Sequence, residues 1–160
     1  MVKSTVAIIG DTGEFCPALI KAIMQHELRL LFISGDEAKV SHLKKELQQL
    51  PQKAEVEYLT CEKEGCWEAD IIAFTRPTKI EPLLLQKIKQ VSTQKLVLVI
   101  SHGSTKDRGQ EKLCFQELLP HSKLVELEIR ERQFSLFGKS DEANSTVAAF
   151  FKAAGYHQNI

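Results

Sequence analysis

Residues Ile8–Leu19, IIGDTGEFCPAL, read as the end of a buried strand, a glycine turn and the opening of a helix. Two apolar β-branched residues precede Gly10, and the apolar positions Phe15, Leu19, Ala22 and Ile23 follow at helical spacing. Gly10 and Gly13 leave the backbone bare where amide N–H groups and the positive end of a helix dipole can meet a diphosphate. Thr12 adds a hydroxyl donor. The third glycine of such a turn serves helix-to-strand packing, and here it is Cys16, which is small and apolar. Asp11 and Glu14 put carboxylates beside a place suited to an anion, at small cost if they point to water. The same turn could also join strand to helix and hold nothing.

Outward from this turn, apolar runs alternate with segments of helical period, as in successive βαβ units. TVAIIG, LRLLFIS, AEVEYLT, ADIIAFT and KLVLVIS predict five strands, with KLVELEI and QFSLF as a sixth and a seventh. AEVEYLT alternates polar residues with apolar ones and is expected near an edge. Helical stripes are expected at Val40, Leu43, Leu47 and Leu50, and at Ile80, Leu83, Leu84, Ile88 and Val91. Ser34 with Glu37 predicts a capping box. The last helix is predicted from Ser140 or Asp141 to a left-handed stop at Gly155. The fold class is therefore α/β: a doubly wound, mostly parallel sheet with helices on both faces, three layers in one Rossmann-like domain over residues 1–160.

The 160 residues are 43% hydrophobic and 26% charged, with 21 basic and 21 acidic side chains in balance. That balance provides no basic footprint for nucleic acid or an anionic membrane. No signal-peptide pattern or bilayer-length apolar run is visible, so a cytoplasmic protein is expected. Cys16, Cys61, Cys66 and Cys114 lack the paired spacing of a zinc site and are expected to be reduced thiols, with no metal.

Right-handed crossovers bring the turns after Ile9, Ile33, Thr75 and Ile100 to one sheet edge. The second strand ends in Ser34 and Gly35, with no acid at the usual ribose-binding position, which disfavours NAD. Ser34 can donate to a 2′-phosphate and Lys39 can neutralise it, although Lys39 also suits a solvated helix surface. Arg76 can reach a phosphate or carboxylate, or decorate its loop. His102, near Ser101, Ser104, Lys106 and Asp107, has the chemistry of a general acid, but a solvated loop histidine is the favoured reading because no sequence feature fixes a partner. No residue is assigned a catalytic role. The Tyr and Lys four residues apart that short-chain reductases use are absent, because Tyr58 is followed by Glu62 and Tyr156 by Ile160. Trp67 is expected to pack, and RERQ at Arg130 to Gln133 to be a solvated strand end.

The segments VAIIGDTGEF, LLFISGDEAK, EADIIAFTRP, KIKQVSTQKLVLVIS and ELLPHSKLVE resemble the deazaflavin-dependent NADP oxidoreductase family. The resemblance runs to about Ala154 and is that of a divergent, C-terminally short member. It implies Gly10, Thr12 and Gly13 on the pyrophosphate, Ser34 and Lys39 on the 2′-phosphate, and Pro77 shaping the nicotinamide side. The cofactor-facing set is then Gly10, Asp11, Thr12, Gly13, Glu14 and Phe15 from the first turn, with Ser34, Gly35 and Lys39 from the second. Thr75, Arg76 and Pro77 come from the fourth strand's end, and Ser101 from the fifth. Family members carry arginine where Gly35 stands, and SHGS and EIRERQ replace their usual loops. Two functions are carried forward. One is an NADP-binding oxidoreductase-like protein moving hydride between NADPH and a small cofactor or carbonyl substrate. The other is a catalytically silent module that binds a nucleotide or a protein partner without turnover. A homodimer remains open.

Overall fold

The computed structural model describes residues 4–9, 17–49, 54–74, 82–101 and 117–159. Its strands are β1 (Thr5–Ile9), β2 (Arg29–Ile33), β3 (Glu55–Leu59), β4 (Ile71–Phe74), β5 (Leu96–Ser101), β6 (Lys123–Arg130), β7 (Gln133–Gly138) and β8 (His157–Gln158). The helices are α1 (Pro17–Met24), α2 (Glu37–Gln48), α3 (Glu62–Glu68), α4 (Pro82–Ile88) and α5 (Asp141–Ala153). One sheet runs in the order β3-β2-β1-β4-β5-β6-β7-β8. Strands β1 to β6 are parallel, β7 is antiparallel to β6, and β8 is parallel to β7.

Alternate side chains of the central strands sort into two apolar layers, because strand side chains have a period of two. Val6, Ile8, Leu30, Phe32 and Leu98 pack with Ile23 of α1, Leu43 and Leu47 of α2, and Val147 and Phe151 of α5. Ala7, Ile9, Leu31, Ile33, Phe74 and Val99 pack on the opposite face with Cys66 of α3 and Leu85 and Ile88 of α4. The three layers and the Rossmann-like strand order agree with the sequence. As expected, β3 is an edge strand. Its exposed Glu57 accepts from Arg29 at 2.6 Å, and Arg29 lies 3.3 Å from Glu68.

At the amino ends of the strands, the Asp70 carboxylate accepts from the Thr5 amide at 2.8 Å, while the Asp70 amide donates to the Thr5 carbonyl at 2.7 Å. The Leu96 amide donates to the Asp70 carbonyl. One residue thereby aligns the starts of β1, β4 and β5. Beside it, the Lys95 ammonium donates to the carbonyls of Cys66 and Trp67 and closes the end of α3. Burial pulls the Lys95 ammonium below the ordinary lysine value, and the nearby Cys66 and Asp70 oppose that shift.

The end of α5 follows the expected pattern closely. Ser140 Oγ accepts from the Ala143 amide at 3.2 Å, and Gly155 has φ of 92°. The Tyr156 amide reaches the Phe151 carbonyl and the Gly155 amide the Lys152 carbonyl, with the two rings of Phe151 and Tyr156 5.6 Å apart. This is a Schellman ending with its apolar contact.

Several expectations need correction. The start of α2 is not a Ser34–Glu37 capping box: Asp36 is the N-cap, and Ser34 accepts from Asp36 instead. EKEGCWE forms α3, a helix the periodicity did not predict, since it carries one apolar stripe residue in seven positions. Trp67 does not pack, being 69% exposed, and Leu83 of α4 is 71% exposed rather than part of the buried stripe. RERQ is a solvated strand end as expected, with Arg130 closing β6 and Glu131 and Arg132 forming the tight turn to β7, Glu131 at φ of 54°. Cys66 is buried and Cys61 exposed. Phe15, Leu50, Ile80, Cys16 and Cys114 lie outside the described residues. Among the described residues no helix is long and apolar enough to cross a membrane. None of them forms a group of three or more His, Cys, Asp or Glu able to hold a metal.

Gly65 explains how α3 reaches the sheet. A Cβ there would overlap Ile33 Cδ1 and stand 3.0 Å from its Cγ1, and Ile33 is fully buried. Gly65→Ala should therefore lose about 1–3 kcal/mol by overpacking, outweighing the gain of about 1 kcal/mol that alanine brings to a helix. Urea unfolding measures the sign, and a more stable variant would contradict the close approach. Asp70→Ala should lose about 1–3 kcal/mol, because it removes a charged acceptor from a backbone amide. The same titration reads it.

Candidate functional site

In a doubly wound sheet, ligands bind beyond the carboxyl ends of the strands where the strand order reverses. Here the reversal is at β1, which pairs with β2 on one side and β4 on the other. Ile9 is level with both Ile33 and Phe74, and Phe74 with Val99. The carboxyl ends of β1, β2 and β4 thus finish together, while β5 runs two residues further to Ser101. The register alone brings these strand ends to one edge.

Of the sequence-predicted site residues, Gly10, Asp11, Thr12, Gly13, Glu14 and Phe15 lie outside the described residues. So do Thr75, Arg76, Pro77 and His102. Ile9 and Phe74, the strand residues just before two of these groups, are fully buried at the edge. Ser101 is the last residue of β5, paired with Glu128 of β6.

The turn from β2 to α2 is described in full. Ser34 is 2% exposed, and its amide donates to the Leu59 carbonyl of β3 at 3.0 Å. Its hydroxyl accepts from the Asp36 amide at 3.1 Å and retains its own proton as a donor. Asp36 Oδ1 then accepts from the amides of Ala38 at 3.0 Å and Lys39 at 3.2 Å, and the Val40 amide bonds the Asp36 carbonyl at 3.1 Å. Lys39 is half-buried in the first turn of α2, close to Ser34 in the chain as expected. Gly35 is exposed, and a Cβ built on it meets nothing within 4 Å.

Asp36 was missed by sequence reasoning, although an aspartate directly before Glu-Ala-Lys is an ordinary N-cap signal. It alters the electrostatics of the turn. Two amides at the positive end of α2 already hold a carboxylate, Glu37 adds a second negative charge, and Lys39 supplies one positive charge. Tyr58 of β3 steadies the helix: its ring stacks on Phe32 at 5.7 Å and the Lys44 ammonium of α2 sits 4.8 Å from its centroid. Burial raises the Tyr58 phenol above its ordinary value.

A cavity of about 480 Å³ opens at the opposite edge, between the start of β6 and the end of β7, beside Ser122, Lys123, Gly138, Lys139 and Ser140.

No protein-family model matches this chain, and no curated protein matches it either. Solved structures do. A pyrroline carboxylate reductase of Plasmodium falciparum with NADP bound superposes with a TM-score of 0.68 at 17% identity, over 100% of this chain and 59% of that one. A pyrroline-5-carboxylate reductase from Coxiella burnetii gives 0.73 at 14% identity, over 99% and 59%. An imine reductase from Myxococcus stipitatus in complex with NADP+ gives 0.65 at 18% identity, over 92% and 52%. The chain spans between half and three-fifths of the length of these reductases, and its fold is the α/β Rossmann-like fold that they share.

Proposed function

We propose that this chain binds a nicotinamide dinucleotide along the carboxyl edge of its parallel sheet and acts as an oxidoreductase-like protein. The observation that carries the reading is the common ending of β1, β2 and β4 at the reversal of strand order, which is where this architecture holds dinucleotides. The glycine turn after Ile9 supplies backbone for the pyrophosphate, and the β2–α2 turn meets the adenosine ribose. NADP, with Ser34 and Lys39 on its 2′-phosphate, is the form that the family resemblance implies. NADP in the Plasmodium and Myxococcus structures is consistent with a nicotinamide cofactor.

When bound, a nicotinamide supplies hydride chemistry, and the protein's task is to hold its ring against an acceptor. Within the described residues, Ser34 and Lys39 can contribute orientation at the ribose end. A small carbonyl or imine compound, or a deazaflavin as in the resembled family, is the acceptor class to examine.

Thermal unfolding tests the binding. NADH or NADPH near a hundred times its Kd should add about 2.7 kcal/mol and raise Tm by about 5–10 °C for a chain of this size. Lys39→Glu should diminish the NADPH shift more than the NADH shift. No shift with either dinucleotide at millimolar concentration would end the reading. Oxidation of NADPH or NADH with deazaflavin, flavin, imine or aldehyde acceptors then separates an enzyme from a module that binds without turnover.

A further inference from the structure

The β2–α2 turn does not fit the 2′-phosphate that the sequence resemblance implies. A dianion placed there needs cations and unclaimed amide donors. The Ala38 and Lys39 amides are both engaged by Asp36 Oδ1, and the Val40 amide is engaged by the Asp36 carbonyl. The charges of Asp36, Glu37 and Lys39 sum to one negative charge before any ligand arrives. At Gly35 there is no side chain to offset this, although the space around it is open.

A ribose hydroxyl meets the opposite situation. It carries no charge to repel, it can donate to an aspartate carboxylate, and it can accept from the buried Ser34 hydroxyl or the Lys39 ammonium. The carboxylate is held in place by two amides, so little ordering is required of it.

We infer that the α2 N-terminus selects the dinucleotide lacking a 2′-phosphate, NAD(H) over NADP(H), with Asp36 as the residue that sets the preference and Gly35 as the open position where a cation would reverse it. The inference rests on the proposed binding of a dinucleotide at this edge. Asp36 is a structural cap and a specificity group at once, because the carboxylate that caps the start of α2 also supplies the negative charge of the turn.

Calorimetric titration with NADH and with NADPH tests it on the full chain. NADH should bind at least tenfold more tightly in the wild type. Asp36→Ser keeps an N-cap oxygen while removing the charge, and should narrow that ratio several-fold; combining it with Gly35→Arg should invert the ratio. Circular dichroism checks that each variant keeps its helix content. Tighter binding of NADPH by the wild type, or a ratio unmoved by Asp36→Ser, would overturn the inference and leave the dinucleotide site standing. Binding of neither dinucleotide by the wild type would overturn both.

Discussion

The burial of the central parallel strands on both faces is the constraint from which the rest of the molecule follows. Val6 to Ile9, Leu30 to Ile33 and Ile71 to Phe74 are all buried, so no side chain in these strands is left to meet a ligand. Polar chemistry is pushed to the strand ends, where the backbone leaves the sheet. Parallel pairing then gathers the carboxyl ends on one edge and the amino ends on the other. The two edges differ in purpose. At the amino edge, Asp70 joins three strands and Lys95 closes α3, which fixes the register. At the carboxyl edge the same register aligns the ends of β1, β2 and β4.

The β2–α2 turn shows how a local solution for helix stability shapes what a site can hold. A helix start needs acceptors for its amides, and an aspartate N-cap meets that need at once. The solution spends the donors that an anion would otherwise use. A turn ending in serine and arginine leaves a cation in addition to the cap, whereas Ser34-Gly35-Asp36 leaves a carboxylate with one lysine nearby. The cap that stabilises α2 therefore also sets the charge of the turn that leaves β2.

Much of the architecture was legible because its signals are periodic and punctuated. Unbroken Val, Ile and Leu runs marked the parallel strands, polar alternation marked β3 as an edge, and Ser140 with Gly155 bracketed α5. The misses have common physical causes. The helix α3 was invisible because Gly65 and Cys66 are chosen for close approach to Ile33 and not for an apolar stripe, and because its end is closed by Lys95 from a distant loop. Trp67 is expected inside by residue type and Leu83 by helical spacing, but both are exposed, because the faces they occupy are set by packing partners that sequence spacing does not reveal.

Around the candidate site, the end of β2 was legible in the sequence and the charge of the turn that follows it was not. Ser34 and Lys39 emerged because their separation from the glycine turn matches where a second strand ends. Asp36 does not stand where an acid is expected, at the last residue of the strand, because Ser34 and Gly35 intervene. The backbone turns back after Ser34, with the Ser34 hydroxyl bonding the Asp36 amide, and that bend carries the acid to the helix start. An acid counted as two positions too late along the chain is thereby held at the same end of the same strand. Spacing measured in residues cannot detect this, whereas hydrogen bonds to Ala38 and Lys39 locate the carboxylate directly.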